Sequence, residues 1–138
     1  MRRRSRAREF ALQILYQMDI THDNCDGSLS NFWQVYSEKH IDEDLKNFTT
    51  DLVKGVANNL SIIDAKISQY ATNWQLKRMA VIDRNILRMS CFELMFREDI
   101  PPKVSINEAV ELAKKYSGPE AGKFVNAILD KIKSERNK

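Results

Sequence analysis

The stretch VIDRNILRMSCFELMFREDIPPKVSINEAVELAKKY, residues 81–116, decides the fold. Over residues 81–97 apolar side chains are spread around nearly the whole circumference of a helix, and a helix of that kind is buried. We therefore predict a buried central helix around which the other helices pack. Its polar side chains cannot be buried without partners, so we expect them on a narrow seam that faces water or another chain. The seam comprises Arg84, Arg88, Glu93 and Arg97.

A proline pair separates the central helix from the next one. Pro101 and Pro102 cannot continue a helix, because each lacks a backbone N–H and restrains the residue before it. Ser105 and Glu108 then have the spacing of a capping box, in which each side chain accepts a hydrogen bond from the other residue's backbone N–H. We therefore predict that a second helix begins at Ser105 and ends before Gly118.

Apolar residues recur at helical spacing along nearly the whole chain, and only four Gly and three Pro occur in 138 residues. The pattern predicts an all-α fold of about seven helices. The length suits one ordinary domain, and short connections favour antiparallel neighbours. We predict a single domain, residues 1–138, made of two small packed helical bundles at about 1–58 and 59–138. The remaining five helices are expected at about 5–20, from 26 or 28, at 42–58, from 59 or 61, and from 119.

Motifs for catalysis are missing from the sequence. It contains no glycine-rich phosphate loop, no GxSxG elbow and no HExxH motif. His22 and His40 lie in or beside predicted loops without a spaced carboxylate or thiol, so we interpret both as surface histidines. Cys25 and Cys91 form no CxxC pair, and Cys91 falls in the most apolar helix, which favours a buried reduced thiol. We therefore expect no enzyme activity, no cofactor and no metal site.

The apolar runs are too short for a membrane protein. None approaches the roughly 20 residues that span a bilayer. The arginines at the start of the chain are followed by no uninterrupted apolar core and no cleavage site. We expect a cytoplasmic protein without membrane association.

Arginines crowd the start of the first predicted helix. Residues 2–8 contain no acid, although the whole chain has a net charge of only +3. The helix macrodipole opposes cations at a helix N-terminus, so helix stability does not explain them, whereas an anionic ligand would. The alternative is a solvated, disordered basic tail, which is common at N-termini. The arginines are Arg2, Arg3, Arg4, Arg6 and Arg8.

Aromatic residues can complement these cations in binding RNA. Guanidinium groups match phosphate geometry, and aromatic rings stack on the unpaired bases of single-stranded RNA. Tyr70, Tyr116 and Phe124 are the aromatic residues that merit a test. The competing interpretation places each ring on the apolar stripe of its own helix. We favour that interpretation for Tyr116, and the sequence leaves both open for Tyr70 and Phe124.

Three stretches carry a resemblance to a known family. They are RRRSRAREFALQILYQ at residues 2–17, VIDRNILRMSCFELMF at 81–96 and DIPPKVSINEAVELAKKYSGPEAGKFVNAILDKI at 99–132. The last two stretches together are highly specific to this family, whereas the arginine-rich opening alone would be weak evidence for it. Over essentially its whole length the chain resembles the bacterial NusB transcription antitermination proteins.

The resemblance implies an all-helical, non-enzymatic RNA-binding protein. It implies recognition of the single-stranded boxA element of leader and ribosomal RNA transcripts, together with NusE, a small-subunit ribosomal protein. The complex would help RNA polymerase read through terminators. The residues that the resemblance implies for RNA binding are Arg2, Arg3, Arg4, Arg6, Arg8, Tyr70, Glu120, Lys123 and Phe124.

The resemblance further implies a protein-partner surface that bears Tyr16, Asp83 and Arg88. Several family members have Asp where this chain has Glu120, so the base preference at that position stays open. Whether the free protein is a monomer or a homodimer also stays open.

Two alternative functions are compatible with the sequence. The chain could be a NusB-like accessory domain that serves an RNA-modifying enzyme, such as an RNA cytosine methyltransferase. The absence of any catalytic domain within these 138 residues favours an independent factor instead. The chain could also be a protein-interaction module whose arginines are incidental.

Overall fold

A computed structural model describes residues 2–36 and 41–136 of the chain; His40 lies outside the described residues. Within these ranges the chain forms seven α-helices, one short 3-10 helix at Leu76–Arg78 and no β-strand, which confirms the predicted all-α fold. The chain divides into two compact units, an N-terminal unit, Met1–Asn58, and a C-terminal unit, Asn59–Lys138. The helices are α1 Arg3–Thr21, α2 Cys25–Val35, α3 Glu43–Asn58, α4 Leu60–Tyr70, α5 Val81–Phe96, α6 Pro102–Ser117 and α7 Pro119–Arg136.

In the N-terminal unit, α1 packs against α2 and α3. Apolar side chains on one face of α1 are buried, and Phe10 is only 2% exposed. The Phe10 ring lies within a cluster of aromatic rings from α2 and its end, 5.4 Å from Phe32 and 4.8 Å from Tyr36 between centroids. The start of α2 differs from the prediction, because Asn24 Oδ1 accepts a hydrogen bond from the Gly27 backbone N–H at 2.7 Å and caps the helix.

In the C-terminal unit, α5 packs against α4, α6 and α7. Ile86, Leu87 and Cys91 on this helix are fully buried, which confirms the prediction of a buried central helix. None of the helices in the described part of the chain is long and apolar enough to cross a membrane.

The predicted start of α6 at Ser105 is wrong. The helix begins at Pro102, since the first helical position needs no hydrogen-bonded N–H and the fixed φ of proline suits it. Ser105 is therefore inside the helix and 2% exposed, and its Oγ donates to Glu93 Oε1 at 2.7 Å. No capping box forms, because the Ser105 hydroxyl bonds to a carboxylate on α5.

The polar residues of α5 find their partners within the C-terminal unit. Glu93 is 1% exposed and bonds to Ser105. Arg88 donates two hydrogen bonds to the Asp64 carboxylate on α4, at 2.8 and 3.0 Å. The Arg97 guanidinium pairs in the same way with Asp99. The prediction that this seam faces water or another chain is wrong for Glu93 and Arg88, because the chain itself supplies their partners.

Candidate nucleic-acid interface

The N-terminus of α1 presents exposed arginine side chains. Arg2, Arg3 and Arg4 are exposed and Arg6 is half-buried. The first turn contains no acidic residue, so nothing on this helix offsets the effect of its dipole on the cations. We name Arg2, Arg3, Arg4 and Arg6 the α1 arginine cluster. From Arg3 onward these residues belong to a helix rather than to a disordered tail.

The contacts of the cluster leave most of its charge on the surface. The Arg3 guanidinium forms ion pairs with Asp42 and Asp44, both near the start of α3. Such exposed pairs are weak and are displaced by a better anion. Arg4 lies over the Phe48 ring at 4.5 Å, and Arg6 lies over the Phe10 ring at 4.8 Å. Stacking of this kind holds a guanidinium in place while its edge remains able to bind phosphate.

Arg8 does not belong with the exposed arginines. Its side chain is 2% exposed and its guanidinium lies 5.1 Å from the Phe48 ring centroid. A side chain buried to this degree cannot reach a phosphate in solution. Arg8 therefore supports the packing of α1 on α3, and we exclude it from the candidate RNA surface.

Tyr70 is the last residue of α4, and its hydroxyl forms a hydrogen bond within the chain. The hydroxyl donates to the Glu135 carboxylate on α7, and this bond, followed by burial, raises the pKa of Tyr70. The Lys66 ammonium lies 2.8 Å from Glu135 Oε1 and completes the group. The Tyr70 side chain is therefore held by α7, and the residue stays partly exposed.

The first turns of α7 carry three of the predicted residues. Glu120 and Lys123 are exposed, and their charged atoms lie 3.5 Å apart. Phe124 is half-buried and packs edge-on against Trp74, with 6.0 Å between ring centroids and 76° between the ring planes. Trp74 is 57% exposed, an unusual position for the largest apolar side chain.

A cavity of about 370 Å³ lies beside this aromatic pair, and we name it the α5–α7 cavity. It brings Glu120 and Phe124 together with Asp83, which the resemblance assigned to the protein partner. Asp83 Oδ1 is buried and has no hydrogen-bond partner among the described residues. The residues that line the cavity are Trp74, Arg78, Met79, Ala80, Asp83, Ser117, Glu120, Ala121 and Phe124.

The sequence model of the NusB family matches residues 5–134 of this chain. The chain belongs to the NusB family. The transcription antitermination protein NusB of Anaeromyxobacter dehalogenans is 47% identical over 132 residues, which cover 96% of this chain and 91% of that protein. NusB of Myxococcus xanthus is 43% identical over 136 residues, which cover 98% and 97% of the two chains.

Solved structures of NusB proteins have the same fold. NusB of T. maritima superposes with a TM-score of 0.87 at 38% identity, covering 96% of this chain and 91% of that one. A crystal structure of the antitermination factors NusB and NusE in complex with dsRNA contains a chain that superposes with a TM-score of 0.86. That chain is 29% identical, and the match covers 98% of each.

The residues that the NusB resemblance implies for a protein partner differ in accessibility. Tyr16 on α1 is 38% exposed and available for contact. The Arg88 side chain is 13% exposed and bonded to Asp64, so we assign it to the packing of α4 on α5. Asp83 faces the α5–α7 cavity.

Trp74, Arg78 and the cavity itself were missed by the sequence interpretation. The helix predicted from residue 59 or 61 ends at Tyr70, so Trp74 lies beyond it. The polar neighbours Asn73 and Gln75 are the signal that could have indicated an exposed ring. The interpretation of Tyr116 was also wrong, because that ring is 41% exposed.

The described residues contain no group of three or more His, Cys, Asp or Glu side chains arranged to hold a metal ion. Cys91 is a fully buried free thiol whose Sγ lies 3.6 Å from Met95 Sδ. Burial raises the pKa of Cys91 to about 12.

Proposed function

We propose that this protein is a transcription antitermination factor that binds the boxA element of ribosomal RNA transcripts together with NusE. Bound in that way, it helps RNA polymerase read through terminators. Membership of the NusB family supports this function, as does the similarity to a NusB chain crystallised with NusE and dsRNA. The observation within this chain that carries the proposal is the α1 arginine cluster, whose exposed cations are explained by an anionic ligand.

The cluster supplies attraction that depends on salt. Each phosphate neutralised on a single strand contributes about 0.7 to the logarithmic salt slope, so four arginines give at most about 2.8. Arg8 is excluded from this sum because it is buried. We expect a smaller slope than the maximum, since Arg3 already pairs with Asp42 and Asp44.

Residues of the C-terminal unit supply base recognition. The Tyr70 and Phe124 rings stack on unpaired bases, an interaction that tolerates any base. The Glu120 carboxylate is exposed and accepts a hydrogen bond from a base amino group, while the neighbouring Lys123 binds a phosphate. Stacking and phosphate contacts position the strand, and the carboxylate contributes sequence preference.

The partner NusE binds a surface that includes Tyr16. This side chain is a large, exposed aromatic on α1, a residue type enriched at protein interfaces. Arg88 acts indirectly by fixing α4 against α5 through Asp64. A homodimer of the free protein is a separate possibility, which light scattering of the free chain and of its RNA complex resolves.

The test is a titration of labelled boxA-like RNA at two salt concentrations, with and without NusE. The competitors are its scrambled version, the matching DNA and the double-stranded form. We expect the single-stranded boxA RNA to be preferred and the preference to increase with NusE. Equal, steeply salt-dependent binding to all four would overturn the proposal, because it would reduce the cluster to a nonspecific polyanion site.

A further inference from the structure

We propose that Asp42 and Asp44, at the start of α3, compete with RNA phosphate for Arg3, so that the protein lowers its own affinity for RNA. This inference rests on the proposed RNA-binding function and adds two acidic residues that oppose it. All three residues belong to the N-terminal unit. The contact is autoinhibitory, because a phosphate must displace the carboxylates before it reaches the Arg3 guanidinium.

Arg3 is held differently from its neighbours in the α1 arginine cluster. Its Nε pairs with Asp42 Oδ2, and its Nη1 lies 3.5 Å from Asp44 Oδ2. Arg4 and Arg6 instead lie over aromatic rings, a contact that leaves the guanidinium edge accessible. Carboxylates and phosphates bind the same N–H groups of a guanidinium. The two carboxylates therefore occupy the part of Arg3 that a phosphate would bind.

The Asp42 carboxylate is fixed by the helix that it caps. Its Oδ1 accepts a hydrogen bond from the Asp44 backbone N–H at 3.1 Å, while its Oδ2 pairs with Arg3. The Asp42 carbonyl accepts a hydrogen bond from the Lys46 backbone N–H at 3.0 Å, as at the start of a helix. The cap and the α3 dipole keep both carboxylates close to Arg3 after a phosphate has displaced them. They then repel that phosphate, so the competition persists in the complex.

The exposure of the three side chains sets the size of the effect. Arg3 is 60% exposed, and Asp42 and Asp44 are 36% and 78% exposed. Exposed ion pairs are individually weak and are screened by salt. Two such pairs should lower RNA affinity roughly three- to tenfold at low salt, and by less as the salt concentration increases. The reduction matters most for RNA held by phosphate contacts alone, because such binding is already weak.

A purely structural role for the contact explains less. An ion pair between the starts of α1 and α3 would help to hold two packed helices together. These helices already bury apolar side chains, among them Ala11, Leu52 and Val53, and an exposed pair adds little to such packing. If the role were only structural, removal of the carboxylates would lower stability and leave RNA affinity unchanged. Competition predicts a gain in RNA affinity.

The experiment removes the two negative charges and keeps the helix cap. The test variant is Asp42→Asn combined with Asp44→Asn, because Asn caps a helix about as well as Asp. The matched control is Glu43→Gln combined with Asp51→Asn. It removes the same charge from exposed positions on the same helix, for which no ion pair is seen in the described part of the chain. Affinities for boxA-like RNA and for its scrambled version are measured at two salt concentrations.

We expect the test variant to bind both RNAs roughly three- to tenfold more tightly than the wild type at low salt, with a smaller gain at higher salt. The control variant should gain less than about twofold. In an Arg3→Ala background the gain of the test variant should fall to that of the control, since no guanidinium is left to occupy. Thermal unfolding checks that each variant folds. Asp44→Asn alone leaves the capping residue unchanged and should show part of the gain.

Three results overturn the competition. Equal gains in the test and control variants would assign the effect to net charge. A full gain in the Arg3→Ala background would show that the carboxylates do not act through Arg3. An unchanged or weakened affinity would mean that the contact is structural or that it positions Arg3 for RNA. Failure of the proposed function is distinct, because it would appear as equal binding of boxA and scrambled RNA by the wild type, and the competition would still be measured on either RNA.

Discussion

Ser105 is a residue whose position is decided by a partner twelve residues away in the chain. Its hydroxyl donates to the buried Glu93 carboxylate at 2.7 Å. Because the carboxylate is desolvated, loss of this donor should cost about 1–3 kcal/mol of unfolding free energy. We predict that loss for Ser105→Ala, measured by urea denaturation.

Ser134→Ala is the matched control for this change. It also removes a helical serine hydroxyl, but an exposed one that donates to the Asp130 carbonyl at 3.1 Å. Surface substitutions of this kind usually change stability by less than about 0.5 kcal/mol. Equal effects of the two substitutions would show that the Glu93–Ser105 bond does not contribute to stability.

Tyr70 offers a second prediction, because its hydroxyl and its ring have different roles. The hydroxyl is bonded to Glu135, so Tyr70→Phe should change boxA affinity by less than about twofold, whereas Tyr70→Ala removes a stacking ring worth about 1–3 kcal/mol. Titration calorimetry with the RNA measures both. A large loss in Tyr70→Phe would mean that the hydroxyl contacts RNA.

Ultraviolet titration should place the Tyr70 pKa above its ordinary value of 10.0, and Glu135→Gln should lower that pKa.

Arg8 shows where reasoning from residue type fails and periodicity would have succeeded. Its charge predicts a solvent-exposed side chain, yet Arg8, Leu12 and Leu15 follow the i, i+4, i+7 spacing of one buried helix face. The long side chain is accommodated by stacking on Phe48. The spacing was present in the sequence, but the aromatic partner on α3 was not predictable from it.

At the scale of elements, the α1 arginine cluster predicts a separation of binding from stability. Replacing Arg2, Arg3 and Arg4 by Ala should lower the salt slope by up to about 2.1, at about 0.7 per phosphate. Folding stability should stay nearly constant, because relief of the unfavourable dipole interaction offsets the lost pair with Asp42. Salt-dependent RNA titration and thermal unfolding measure the two quantities.

The control is a triple variant in which Ala replaces Lys54, Lys103 and Lys131. It changes the net charge by the same amount. These lysines are exposed, and no ion pair of theirs is seen among the described residues. We expect RNA binding in this variant to remain close to that of the wild type. An equal loss in both triple variants would assign binding to net charge rather than to the α1 arginine cluster.

Helix positions were more predictable than helix starts. The buried α5 follows from apolar residues that surround the helix, a pattern that needs no knowledge of its neighbours. The start of α6 depends on a choice between two local signals, the proline at Pro102 and the serine at Ser105. The proline determined it, because Ser105 is bonded to Glu93 on another helix. A tertiary contact of that kind leaves no local pattern.

At the scale of the whole molecule, RNA and NusE binding should be thermodynamically coupled. If NusE raises the boxA affinity by some factor, boxA RNA must raise the NusE affinity by the same factor. We expect a factor of about 5–150, the usual range for such coupling. Calorimetry tests this prediction by measuring the boxA affinity with and without NusE and the NusE affinity with and without boxA RNA. Unequal factors would reveal an additional species, such as a homodimer that one ligand dissociates.

The candidate site was predictable only in part. The arginines and the Glu120–Phe124 segment are visible because charge and family pattern mark them in sequence. The α5–α7 cavity is formed by the segment after α4, the start of α5 and the start of α7, which lie far apart in the chain. Only the packed C-terminal unit brings Trp74, Asp83 and Phe124 to one place.

The buried Cys91 thiol gives the C-terminal unit an internal reporter of its own opening. A thiol reagent needs both access and a thiolate, and burial denies access while raising the pKa of Cys91 to about 12. Cys25, which is only partly buried, should react first. The rate of the slower labelling phase would then report how often α5 separates transiently from the helices packed against it. Any RNA or protein that stabilises this unit should lengthen that phase, even where the folded structure does not change.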